Sequence, residues 1–190
     1  MADYAGEKGK SMALIHLVRH AEPEAGWGEA HDPGLSARGA GQAEATAQTL
    51  RDAVGACRLV SSPLARCRET AAPLAALWRT PVRIARTVAE VRAPEGVDRQ
   101  AWLAAAFAGT WAQAGLEQWR AAIAAFVRES PGDSVIFTHF VAINAAVSSA
   151  LGEERVLAFR PAHASITTLE AGPAGLRLVR LGAEMQGPVL

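Results

Sequence analysis

The chain has 190 residues, 50% of them hydrophobic and 20% charged, with 19 basic side chains set against 19 acidic ones. A chain of this length buries about 70% of the surface its unfolded form exposes, so it needs no disulfide or structural metal, and disordered or fibrous classes are excluded. A formal net charge of zero argues against a dedicated nucleic-acid or anionic-membrane binder, which carries a basic excess, so any functional charge is local.

Residues 1–11 hold both lysines, Lys8 and Lys10, and the only tyrosine, Tyr4, while all seventeen arginines follow. They read as a flexible leader to a single domain spanning 12–190. Gly9-Lys10-Ser11 imitates the end of a phosphate-binding loop, but Tyr4 stands where its first glycine belongs and no apolar strand precedes it, so no nucleotide site is assigned. The leader has no apolar run of the kind that directs secretion, and Cys57 and Cys67 are isolated, which fits two reduced thiols in a cytoplasmic protein.

Ala13 to Val18 is a short apolar run that predicts a strand ending at Arg19-His20, followed by a loop rich in Gly, Pro, Glu and Asp. Ser36 is a good N-cap for a helix carrying Ala40, Ala43, Ala47, Leu50 and Val54 at helical spacing. Arg58 to Ser61 predicts a second strand, and Ser62-Pro63 opens a helix whose inward stripe is Leu64, Cys67, Ala71, Leu74 and Trp78, stopped by Thr80-Pro81. A short strand is expected within 82–90, and 98–113 is rich in alanine and tryptophan without a clear period. Leu116, Trp119, Ile123 and Phe126 mark a helix that Pro131-Gly132-Asp133 ends. The long uncharged stretch from Ser134 to Gly152 reads as a strand, Val135 to Thr138, running into a helix marked by Phe140, Ile143, Val147 and Ala150, and not as a membrane span. Ile166 to Leu169 and Leu176 to Leu181 form a closing hairpin around Gly172 to Gly175.

Alternation of this kind implies an α/β three-layer sandwich, a central, mostly parallel sheet with helices on both faces. In such sheets ligands bind beyond the carboxyl ends of the strands. Arg19 and His20 follow the first strand, Arg66 lies one turn into the helix after the second, and His139 follows Thr138. Arginine's fork matches the oxygens of a phosphoryl group, and helix N-termini add backbone N–H donors. A neutral histidine beside such cations can attack phosphorus, because the arginine charges lower its pKa. The acid for the leaving oxygen is then Glu90, with Glu22 as the alternative. His16, inside a strand, reads as a buried, hydrogen-bonded residue. His31-Asp32 with His20 and Glu22 could suggest a metal, but the segment fits a polar loop better, and no metal or other cofactor is assigned. Trp102, Trp111 and Trp119 read as core or pocket lining, since almost no basic residues interleave them.

Three segments, Leu17-Val18-Arg19-His20-Ala21-Glu22, Ser61-Ser62-Pro63-Leu64-Ala65-Arg66-Cys67-Arg68-Glu69-Thr70-Ala71 and Ile136-Phe137-Thr138-His139, resemble in order and spacing the histidine phosphatase superfamily, the phosphoglycerate mutase-like group. The resemblance covers residues 14–181. It implies that His20 is the phosphorylated nucleophile, that Arg19, Arg66 and His139 hold the phosphate, that Glu90 donates the proton, and that catalysis needs no metal. Ala21 departs from the glycine common there, the run of glycine, tryptophan and glutamate common after the acid is missing, and His163 stands where relatives often have asparagine. Residues 91–118, where such proteins vary with substrate, include Arg92, Asp98 and Arg99 among few charges; Glu22, Arg92 and His163 are substrate-binding candidates. The expected activity is hydrolysis of a phosphate monoester, on a small phosphorylated metabolite or a phosphoprotein, with no nucleic-acid or membrane partner. A phosphomutase and a non-catalytic phospholigand-binding module are the alternatives.

Overall fold

The computed structural model describes residues 12–25 and 32–187; the leader 1–11, His31 and residues 188–190 lie outside them. In chain order the elements are β1 (Ala13–Arg19), α1 (Ala37–Ala53), β2 (Arg58–Ser61), α2 (Ala65–Trp78), β3 (Val82–Ile84), a single 3₁₀ turn (Arg86–Val88), α3 (Arg99–Ala108), α4 (Glu117–Arg128), β4 (Ser134–Thr138), α5 (Phe140–Leu151), β5 (Ile166–Gly172) and β6 (Gly175–Arg180). The strands make one sheet in the order β3-β2-β4-β1-β5-β6. The β1/β4, β2/β4 and β2/β3 pairs are parallel, and the closing hairpin adds two antiparallel pairs, β1/β5 and β5/β6.

The central strands are apolar on both faces because both faces are covered. Ile15 and Leu17 of β1, Val60 of β2 and Ile136 of β4 meet Leu103 and Phe107 of α3, Ile123 and Val127 of α4 and Phe140, Ile143 and Val147 of α5. Their alternate neighbours Val18, Leu59, Val135 and Phe137 meet Ala47 and Leu50 of α1 and Cys67, Ala71 and Leu74 of α2. Trp111 is buried in the first of these cores and stacks on Trp119, ring centroids 6.3 Å apart, so both tryptophans are occupied by packing. His16 is buried with Nδ1 at 3.1 Å from the Thr168 hydroxyl. Both cysteines are free thiols. No helix among the described residues is long and apolar enough to cross a membrane.

Two local expectations are corrected. Ser36 does cap α1, its hydroxyl accepting the Gly39 N–H at 2.9 Å, but Ala40 faces outward and Gly39 takes the inward place. A Cβ there would collide with the carbonyl oxygen of Glu22, so only glycine lets α1 approach the loop after β1. Ser62 does not cap α2, which begins at Ala65. The capping acceptor arrives from elsewhere in the chain: the Asp32 carboxylate takes the Ala65 N–H at 2.8 Å.

Candidate active site

Register alone assembles the centre. Arg19 of β1 lies opposite Thr138 of β4, and Ser61 of β2 lies opposite Phe137. The pairing continues one residue past each strand, with the His20 N–H on Thr138 O at 2.9 Å and the Ser62 N–H on Phe137 O at 3.0 Å. His20, Ser62 and His139 therefore stand side by side at the carboxyl edge of three parallel strands, and Arg66 enters from the first turn of α2.

His20 is only 4% exposed. Its Nδ1 lies 2.8 Å from the Ala21 carbonyl, an acceptor, so Nδ1 carries the proton and Nε2 keeps its lone pair. Burial, and then the neighbouring His139, Arg19 and Arg66, hold its pKa well below the ordinary histidine value. The imidazole is therefore neutral near pH 7, with its basic nitrogen available. The His139 ring meets it edge-on, 5.3 Å between centroids.

His139 is fully buried. Arg66 Nη2 donates to its Nδ1 at 3.4 Å, and its Nε2–H donates to Ser62 Oγ at 2.7 Å. Burial, followed by Arg66, Arg19 and Arg99, keeps it neutral as well. The thiol of Cys67 packs under the ring, 3.4 Å from Nε2, and burial pushes that thiol's pKa far up, so it serves as an apolar floor.

Arg19 is buried across the face of Phe140, its guanidinium carbon 5.1 Å from the ring centroid. Nη1 donates to Pro161 O at 2.8 Å, Nη2 donates to His163 Nε2 at 2.9 Å, and the buried Nε has no hydrogen-bond partner. Burial lowers its pKa to about 10, so it stays charged at neutral pH. A buried cation with an unmet donor is a natural receptor for an anion's oxygen. Arg66 is steadied by Asp32, Nη1 to carboxylate 3.8 Å.

Glu90 follows the 3₁₀ turn and is buried. Its Oε1 accepts the Val91 N–H at 3.0 Å and its Oε2 accepts the Val141 N–H, in the first turn of α5, at 3.3 Å. Burial raises its pKa against the pull of those donors and of Arg66 and Arg99. It faces the same arginines as the histidines do.

The substrate-binding candidates separate. His163 stands at the centre, its ring 5.5 Å from that of His20. Glu22 turns instead to α1, accepting the Ser36 hydroxyl at 3.0 Å and pairing with Arg38 at 3.3 Å. Arg92 is exposed on the segment before α3. Arg99 is the charge of that segment that reaches inward: half-buried, it acts electrostatically on Glu90, Arg66 and His139. The sequence signal for it is Asp98, which caps α3 by accepting the Ala101 N–H at 2.7 Å and puts Arg99 on the same helix face as Leu103 and Ala106. Ser62 and Asp32 are the other residues that sequence reasoning left out of the site. Among the described residues no three His, Cys, Asp or Glu side chains are grouped to hold a metal.

The family model of the histidine phosphatase superfamily (branch 1) matches residues 15–184. A search of curated proteins found no match. Among solved structures, a mycobacterial glucosyl-3-phosphoglycerate phosphatase in complex with VO3 superposes with a TM-score of 0.70 at 23% identity, covering 90% of this chain and 100% of that one. Phosphoserine phosphatase from Entamoeba histolytica, in complex with 3-phosphoglyceric acid, gives 0.67 at 20% identity over 92% of this chain and 98% of that one. A protein described as mycobacterial hydrolase 2 gives 0.70 at 23% identity over 94% of each chain. At these identities the likeness carries the fold.

Proposed function

The chain belongs to the histidine phosphatase superfamily, and from the chemistry of its site we propose that it is a phosphomonoesterase working by double displacement through a phosphohistidine. His20 Nε2 attacks phosphorus, the P–O bond to the leaving group breaks, and the departing oxygen takes a proton from Glu90. Water then attacks the phosphohistidine, gives its proton to the Glu90 carboxylate, and inorganic phosphate leaves with His20 restored. Arg19 and Arg66 neutralise the phosphoryl oxygens, which become most negative in the transition state, and His139 contributes from the opposite side of His20 to His163. These guanidinium groups supply the positive charge for which other phosphatases use a metal. Residues 12–190 act as one catalytic domain, on a small phosphorylated metabolite or a phosphoprotein.

The observation that carries this reading is the buried, neutral His20 with its lone pair on Nε2, flanked by the buried Arg19 and the part-buried Arg66. A non-catalytic binding module would not need the nucleophile in that tautomer. The test is acid quenching of the protein with a radiolabelled aryl phosphate, which traps an acid-labile, base-stable adduct that His20→Ala abolishes together with turnover. Near-normal turnover in His20→Ala would overturn the mechanism. Phosphoryl return to an organic acceptor outrunning release of free phosphate, assayed with 3-phosphoglycerate primed with its bisphosphate, would make the enzyme a mutase on the same residues.

A further inference from the structure

Resting on that reading, we infer that His163 is a positioning residue, whose unprotonated Nε2 holds the Arg19 guanidinium in the orientation that receives the phosphoryl group. The segment around it is built as a clamp on the end of β1. Pro161 O and His163 Nε2 accept from the two terminal nitrogens of Arg19, and Ser165 O accepts the Arg19 backbone N–H at 3.2 Å. Ala164 sits at φ 58°, a conformation that costs an alanine energy, and its N–H reaches the carbonyls of Arg19 at 3.1 Å and His20 at 3.3 Å. Thr46 of α1 closes the clamp by donating to Ala164 O at 2.9 Å. The strained turn places the imidazole against Arg19, because Pro161 before His163 and Ala164 and Ser165 after it are bonded to Arg19 and His20 at the end of β1.

Arginine has donors and no acceptor, so the Nη2 contact requires His163 to accept through Nε2 and to carry its proton on Nδ1. Protonation of Nε2 would replace the bond by two cations in contact. The charged or titratable groups facing His163 are Arg19 at the end of β1, His20 just after it, and Arg38 from α1 with its partner Glu22. Burial, then Arg19 and Arg38, lower its pKa to about 4, so the acceptor state persists through the neutral range.

The arrangement makes the clamp a requirement on the side chain at 163: it must offer an acceptor and stay uncharged. Asparagine meets it and alanine does not. With an aryl phosphate at pH 7, His163→Ala lowers kcat/KM about tenfold or more, the scale of one hydrogen bond to a charged group. His163→Asn restores most of that loss, and its kcat/KM falls less steeply than that of the native enzyme below pH 5. Independently of turnover, ¹⁵N NMR of the unmodified protein, with and without inorganic phosphate, places the His163 midpoint well below the ordinary histidine value of about 6.5. Equal losses in the two variants, or a His163 midpoint near that ordinary value, would overturn the inference. Inactivity toward every phosphate ester would overturn the phosphatase reading instead, and the titration would still decide the tautomer and charge of His163.

Discussion

Removing the hydroxyl of Ser62 tests the least expected part of the site. Ser62 and His139 are both fully buried, and the Ser62 oxygen accepts the His139 Nε2–H at 2.7 Å and the Leu64 N–H at 3.3 Å. In Ser62→Ala both donors lose their acceptor. Leu64 is part-exposed, so water replaces that bond, but at His139 only the weakly accepting Cys67 sulfur, 3.4 Å from Nε2, remains. An unsatisfied buried donor costs about 1–3 kcal/mol. The ring can escape by moving its proton to Nδ1, but Arg66 already donates there at 3.4 Å, so the escape sets two donors against each other. The loss therefore divides between stability and activity: urea unfolding shows part of it, and kcat/KM on an aryl phosphate falls about 10-fold to 100-fold, the kinetic equivalent of about 1.4–2.8 kcal/mol. A double-mutant cycle with His139→Ala isolates the pair, with an expected coupling of about 0.5–3 kcal/mol. Additive effects in that cycle, or Ser62→Ala with native stability and native kcat/KM, would refute the claim that Ser62 fixes His139.

Three further outcomes follow from particular contacts. Gly39→Ala drives a methyl group into the Glu22 carbonyl and lowers unfolding free energy by about 1–3 kcal/mol; unchanged urea stability would show that α1 can lift away. His16, His20, His139 and His163 are all held below the ordinary histidine value, chiefly by burial, so below about pH 6.5 the unfolded chain binds more protons than the fold. Stability accordingly falls between pH 7 and pH 5, by up to about 1.4 kcal/mol per pH unit for each such histidine, with the raised pKa of Glu90 opposing as a single group of opposite sign; a rise in urea stability on acidification would contradict this. Glu90→Gln slows an alkyl phosphate about 10²-fold while largely sparing an activated aryl phosphate, and equal slowing of the two would move the acid role elsewhere.

The parallel sheet and the strand-end residues were legible because they rest on short-range rules. Apolar runs ending in Arg19-His20 and Thr138-His139, with helical stripes between them, imply a sheet whose carboxyl edge collects those side chains, and the register of β1 on β4 is what does so. The failures involve partners distant in sequence. Ser62-Pro63 carries the signature of a helix cap, yet its hydroxyl faces His139, 77 residues on, and the cap is supplied by Asp32, 33 residues before Ala65. Nothing local distinguishes a serine that caps from one that orients a histidine. Sequence reasoning names Arg92 as a substrate-binding candidate and not Arg99, for a different reason. Between 98 and 113 the abundance of small apolar side chains hides the helical phase, and only the Asp98 cap shows which arginine turns inward.

The position of Glu90 links the two halves of the proposed cycle. One helix end serves both functions: His139 is the N-cap residue of α5, and the Val141 N–H of its first turn holds the Glu90 carboxyl. Burial outweighs the two backbone donors and the arginines, so the carboxyl lies above the ordinary value and toward the protonated state that a leaving oxygen requires. A phosphoryl dianion seated on Arg19 and Arg66 cancels part of the positive charge that pulls Glu90 down, and so shifts it further toward the acid form as substrate binds. Once the proton has gone to the departing oxygen, the phosphoryl group on His20 is still anionic, and the Glu90 carboxylate beside it is a stronger base than it would be in water. The carboxyl that begins as an acid is thereby prepared to draw a proton from the incoming water, and the same local repulsion favours hydrolysis over retention of the phosphohistidine.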